Sequence, residues 1–279
     1  MAEMADAILV AEEVSVRFGG VVALDSVDLE VPRGRIVGLI GPNGAGKTTL
    51  FNVLSGVIEP NAGRVVLDGN DVTSWPPYKR GRAGMARTFQ RLELFDRLTV
   101  YENLLAAWEG VNPGAVLGRR KAEGRAQVEA VLAELNLGRL ADRLAGTLPT
   151  GQARLVELAR ALVTAPRVLL LDEPSSGLDD AETAWFAEVL KRVAGARDGE
   201  PAVLLVEHDM SLVMEVCSEI TVLDFGQRIA HGSPEQVRSD PRVVEAYLGT
   251  SLEDEEGAFG GGSSGEPVAA RTKPEVVAR

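Results

Sequence analysis

The chain of 279 residues is poor in the side chains that staple, ligate or span. Its one cysteine, Cys217, excludes an internal disulfide framework, and its helix-like apolar neighbours mark it for packing rather than reactivity. Its two histidines, His208 and His231, are too few and too isolated for the usual Cys/His metal site, so a metal must arrive with a substrate. Long apolar runs are missing too: Val168–Leu171 and Ala202–Val206 fall far short of the roughly 20 residues that cross a bilayer. No segment is expected to span a membrane. Met1–Asp6 has neither a basic patch nor an apolar core, so it does not read as a secretory signal, and the chain is expected to stay in the cytoplasm. Lys and Arg number 29 against 41 Asp and Glu, and the net charge of -12 argues against sequence-independent nucleic-acid binding. Any membrane contact then runs through a protein partner.

What is present suits a globular enzyme: 45% hydrophobic and 25% charged residues, in a chain long enough for a sizeable core and a second subdomain. Ile8 to Val31 alternates apolar and polar positions, broken at Gly19-Gly20 and ended by Pro32-Arg33-Gly34, which predicts an opening antiparallel sheet. Ile36–Ile40 is a buried-strand run that meets a Gly-rich loop and then a helix-forming stretch from Lys47. Arg64–Leu67, before Asp68-Gly69, reads as a further strand. From Leu92 to about Leu148 the pattern turns helical, with Val128, Val131, Leu132 and Leu135 on one face and Pro113-Gly114 as a break. That face is expected to pack on the rest of the chain. The helical stripe Leu155, Leu158, Leu162 and the strands Val168–Leu171 and Val203–Val206 restore the alternation of a parallel α/β sheet. Beyond Tyr247 the sequence turns acidic and then Gly/Ser-rich, and a disordered tail is expected over 250–279.

Two motifs carry chemistry. Gly41-Pro42-Asn43-Gly44-Ala45-Gly46-Lys47-Thr48 fits G-x-x-x-x-G-K-[ST] between a strand and a helix. Its glycines let successive N–H groups face phosphates, and the helix N-terminus adds a favourable dipole. Lys47 is positioned to neutralise the β- and γ-phosphates and Thr48 to ligate Mg²⁺, with Thr49 completing the binding stretch. The second motif is Val168-Leu169-Leu170-Leu171-Asp172-Glu173, an apolar strand ending abruptly in two carboxylates. Asp172 is the expected Mg²⁺ holder and Glu173 the base or orienter for an attacking water. Alone, such a pair is more often a helix cap or a solvated strand end.

With both motifs in place, the chain resembles the ABC ATPase family over Ile8 to about Gly249. The resemblance implies an α/β P-loop NTPase (RecA-like) core with an N-terminal antiparallel β subdomain and an α-helical signature subdomain over about 92–165. Gln90, in Arg87-Thr88-Phe89-Gln90, resembles the glutamine that contacts Mg²⁺ and the nucleophilic water. Leu148-Pro149-Thr150-Gly151-Gln152 stands where the family signature Leu-Ser-Gly-Gly-Gln belongs. Ser176-Gly177-Leu178-Asp179 resembles the D-loop, His208 the switch histidine, and Phe18 the aromatic that stacks on adenine, with core packing as the alternative for Phe18. Pro149 replaces the serine whose hydroxyl reaches the γ-phosphate, so either Thr150 substitutes or that contact is lost.

The family logic also implies a dimer, in which the signature of one subunit closes over ATP held by the other. Arg17-Phe18-Gly19-Gly20, Ala86–Gln90, Val206–Met210 and Asp240–Gly249 look closest to the ATP-binding subunits of branched-chain amino-acid importers. That branch implies two permease subunits, a second ATPase in a homo- or heterodimer, indirectly a solute-binding protein, and residence at the cytoplasmic face of the membrane. The alternatives are a lipid or lipopolysaccharide exporter and a urea or amide importer. A soluble translation or repair ATPase would carry a second cassette or a coiled-coil insertion. A regulatory module without turnover is favoured only by the altered signature.

Overall fold

The computed structural model describes residues 7–114, 119–194 and 201–247. The expected tail over 250–279, with Leu248 and Gly249, lies outside them. The chain opens with β1 (Ala7–Phe18) and β2 (Val21–Pro32), an antiparallel pair that turns at Gly19-Gly20. Register shifts along the pair accompany left-handed residues at Glu13 and Ser26, which bend these long strands. The buried strand β3 (Ile36–Ile40) and helix α1 (Lys47–Leu54) follow. Then β4 (Ala62–Leu67) pairs with β1, and β5 (Asn70–Asp71) returns along β4 after Asp68-Gly69. The opening sheet therefore has the order β2-β1-β4-β5 and is wholly antiparallel.

Helix α2 (Pro77–Arg82) and the short strand β6 (Met85–Arg87) lead into the helical region. There α3 (Val100–Val111), α4 (Arg119–Glu134) and α5 (Thr150–Leu162) pack together. The first helix begins later than the apolar pattern from Leu92 suggests. Buried Asn103 explains the delay: its amide binds both the N–H and the carbonyl of Phe95, which holds the preceding turn out of helical geometry. Thr99 and Glu102 then form a capping box that starts α3. The expected stripe Val128, Val131, Leu132 and Leu135 is buried.

The remaining elements are β7 (Val168–Asp172), α6 (Asp180–Val193), β8 (Ala202–Val206), α7 (Met210–Val216), β9 (Glu219–Asp224), β10 (Gln227–Gly232) and α8 (Pro234–Ser239). They complete a six-stranded sheet of order β10-β9-β3-β8-β7-β6, parallel except for β10. Strands β3, β7 and β8 are buried at every position. Side chains alternate between the two faces of such strands. Val37, Leu39, Leu170 and Leu204 join a core with α1 and the antiparallel sheet. Ile36, Ile40, Leu169 and Leu205 join a second core with α3 to α7.

Candidate functional site

The parallel order brings four loops to one edge of the large sheet, because β3, β8, β7 and β6 all end there. Neighbouring strands lie only about 4.8 Å apart, so side chains that follow them can meet. Gly41 follows β3, His208 lies two residues beyond β8, Glu173 follows β7, and Gln90 lies three residues beyond β6.

Glu173 stands between its two neighbours. Its Oε2 accepts from Gln90 Nε2 at 2.8 Å, and its Oε1 meets His208 Nε2 at 2.8 Å. The backbone of Glu173 is left-handed, with φ 48°, an uncommon conformation for a residue with a side chain. Its N–H is tied to the carbonyl of Val206 at 2.9 Å. Three predicted residues, Gln90, Glu173 and His208, thus form one hydrogen-bonded cluster.

The loop from Gly41 to Gly46 turns through positive φ at Gly41, Gly44 and Gly46. A methyl group on Gly41 would lie 2.1 Å from the Leu223 carbonyl, and one on Gly46 would lie 2.7 Å from that of Ala23. No other residue type fits these two positions. Lys47 opens α1, is 6% exposed, and donates to the carbonyls of Gly41 at 2.6 Å and Pro42 at 2.9 Å. Burial holds its ammonium below the usual lysine range, while Glu173 and Asp172 act against that shift. Gly41, Pro42 and Ala45 are buried, Asn43, Gly44 and Thr48 are exposed, and Gly46 and Thr49 are half-buried.

Asp172 ends β7 and is buried, which raises its carboxyl above the usual range; Arg87 opposes the shift through a 3.1 Å ion pair. Arg87 also donates to Asn52 Oδ1 at 2.7 Å and Ser55 Oγ at 2.8 Å, and stacks 4.9 Å from the Phe89 ring. Asp172 N–H donates to Thr88 Oγ1 at 3.4 Å. Glu207 is also buried, and burial raises its carboxyl although it accepts from the N–H groups of Ser175 and His208. Tyr247 reaches the loop from the C-terminal side: burial raises its hydroxyl, against a hydrogen bond from the backbone of Gly41.

The signature stretch lies elsewhere. Thr150, Gly151 and Gln152 open α5, and Gly151 and Gln152 line a recess with Leu178, Glu182 and Trp185. Pro149 is the N-cap and offers no side-chain acceptor to the first N–H groups of α5. Asp179 caps α6 and exchanges hydrogen bonds with Glu182 in a capping box. Phe18 ends β1 at 52% exposure and joins neither core, which removes core packing as its explanation. Arg87 and Glu207 were visible only as members of motifs named for other residues. Their one signal is a charge beside an apolar strand.

No described helix is long and apolar enough to cross a membrane. The family described as ABC transporter matches residues 24–176, and the one described as branched-chain amino acid ATP-binding cassette transporter matches 227–253. The high-affinity branched-chain amino acid transport ATP-binding protein BraF of Pseudomonas aeruginosa is 42% identical over 255 residues, 88% of this chain and 99% of its own length. The lipopolysaccharide export system ATP-binding protein LptB of Haemophilus influenzae is 35% identical over 242 residues, 87% of this chain and 97% of its own. Among solved structures, the ADP conformation of MJ1267, an ATP-binding cassette of an ABC transporter, superposes with TM-score 0.77 at 33% identity, covering 87% of this chain and 99% of that one.

Proposed function

Because this chain belongs to the ABC transporter ATP-binding family, we propose that it is the ATPase subunit of a branched-chain amino-acid importer, docked on permease subunits at the cytoplasmic face of a membrane. The carrying observation is the clasp of Glu173 between Gln90 and His208 beside a Lys-bearing phosphate loop. The match over 227–253 and the likeness to BraF favour import of branched-chain amino acids.

In this reading 8–249 is the ATPase unit, 92–165 its helical part and 250–279 a tail. Lys47 and the backbone of 41–46 receive the β- and γ-phosphates, with Phe18 against the adenine. Thr48, Asp172 and Gln90 would hold Mg²⁺. Their oxygen donors suit a hard cation, and Arg87 keeps the Asp172 carboxylate oriented. When bound, Mg²⁺ supplies neutralisation of phosphate charge. Glu173 takes the proton of the attacking water at a carboxylate oxygen, and the Gln90 amide and His208 ring hold that carboxylate in place. Thr150, Gly151 and Gln152, with Asp179, serve the nucleotide of a second cassette, identical or related. The exposed Phe89, Leu92 and Phe95 around Gln90 offer apolar ground for a permease.

Purification from native membranes with this chain as bait tests the reading. Paired permeases, a second cassette and a solute-binding protein are expected. The likeness to LptB sustains a second reading, an exporter of lipid or lipopolysaccharide. Lipid-export permeases in that purification would establish it in place of the first.

A further inference from the structure

Helix α5 carries an ion pair that the proposed chemistry does not use. Arg154 and Glu157 meet at 3.1 Å with side chains 5% and 3% exposed. Through Nη1, Arg154 also donates to the Phe89 carbonyl at 3.4 Å; through Nη2 it reaches the carbonyls of Gln90 at 2.8 Å and Ser176 at 3.4 Å. Glu157 Oε1 accepts from the Glu93 N–H at 3.5 Å. One guanidinium thus ties the first turns of α5 to two loops at the catalytic edge: the loop of Gln90, and the loop three residues beyond Glu173.

Packing alone does not account for this pair. Leu155, Val156 and Leu158 fill the same stretch with apolar side chains. A buried ion pair is often no more stabilising than apolar residues of similar volume. Arg154 Nε is left buried without a partner, which further detracts from its value as core. The planar fork of arginine does suit several carbonyls at once, which a lysine cannot reproduce.

We propose that Arg154 and Glu157 are positioning residues that link the two ends of a shared nucleotide interface: closure of this chain's signature on the partner's nucleotide moves Arg154, which sets Gln90 at the chain's own site. The proposal rests on the reading of two cassettes that share ATP. Its physical basis is short. The uncapped N–H groups of Thr150, Gly151 and Gln152 attract phosphate to the start of α5, a helix moves as a rigid body, and Arg154 lies one turn further on. The Gln90 carbonyl follows Arg154, and the Gln90 amide is bonded to Glu173.

The test is the double variant Arg154→Met with Glu157→Met, in the assembled transporter. Apolar replacement of both partners preserves the fold, which the melting temperature checks. The expected result is a kcat lower by about tenfold or more with KM for ATP within about twofold, the pattern of a lost transition-state interaction. Arg154→Lys, which keeps the charge and loses the fork, is expected to behave likewise. ATP trapping in a Glu173→Gln background is expected to survive, because the signature itself is unchanged. Wild-type kcat in the folded double variant overturns the proposal, and so does a loss confined to KM. Absence of ATP turnover by the wild-type transporter would instead remove the underlying reading.

Discussion

At the scale of single residues, the proposed site predicts separate effects on binding and on turnover. Lys47 supplies a buried positive charge to the phosphate loop, so Lys47→Ala is expected to weaken ATP binding by roughly 10- to 100-fold, the worth of a hydrogen bond to a charged group. Equilibrium titration measures it. Glu173→Gln keeps the shape of the cluster and removes the carboxylate proposed to take a proton from water. If Glu173 has the proposed role, the variant leaves affinity unchanged and lowers kcat by about 10²-fold or more, read by phosphate release. Cys217 gives a control outside the site. Burial pushes its thiol up to about 12. At pH 8 only about one molecule in 10⁴ then carries the reactive thiolate, so a thiol reagent is expected to label the chain in denaturant and not in its folded state.

At the scale of elements, the altered signature is a statement about α5. Pro149 occupies the N-cap in extended geometry and brings no side-chain oxygen to the helix start. Pro149→Ser restores that oxygen without changing the backbone, and is expected to raise stability by about 0.5–1 kcal/mol. Thermal denaturation checks the stability, and a parallel rise in ATPase rate would show that the hydroxyl also reaches phosphate. The elements themselves were legible to different degrees. Strands β3, β7 and β8 and the stripe on α4 could be read directly, because burial imposes a pattern on neighbouring residues. The links between elements could not. Arg87 meets Asp172 across 85 positions of sequence and Arg154 meets Gln90 across 64, and no local periodicity encodes such a pairing. Asn103 hides in the same way: its effect falls on the turn before its own helix, so the apolar pattern from Leu92 suggests a helix that α3 starts only at Val100. Among candidate site residues, those set by a strand end, a glycine turn or a family motif were visible, Gln90 and His208 included, whereas Arg87 and Glu207, which brace Asp172 and His208, were not.

At the scale of the whole molecule, the two cores lie on opposite faces of one sheet whose edge carries the candidate site. Ligand binding at that edge therefore stabilises both cores together. In the Glu173→Gln variant, Mg-ATP at 100 times its dissociation constant is expected to add about 2.7 kcal/mol to unfolding free energy. Calorimetry is expected to show one transition moving upward, whereas two transitions responding separately would contradict a shared response. The burial of β3, β7 and β8 on both faces also governs how the sequence can change over time. A strand walled in on two sides disfavours a larger side chain or an unpaired charge, and Asp172, the one charge in these strands, is met by Arg87; substitutions there are expected to be tolerated chiefly among apolar side chains of similar volume. Substitution is expected to be better tolerated where one side is open to solvent, at the tips of the antiparallel sheet and on the exposed faces of α4 and α6. In a mutational scan the buried strands that set the edge of the sheet are therefore expected to tolerate fewer substitutions than the solvent-exposed surface.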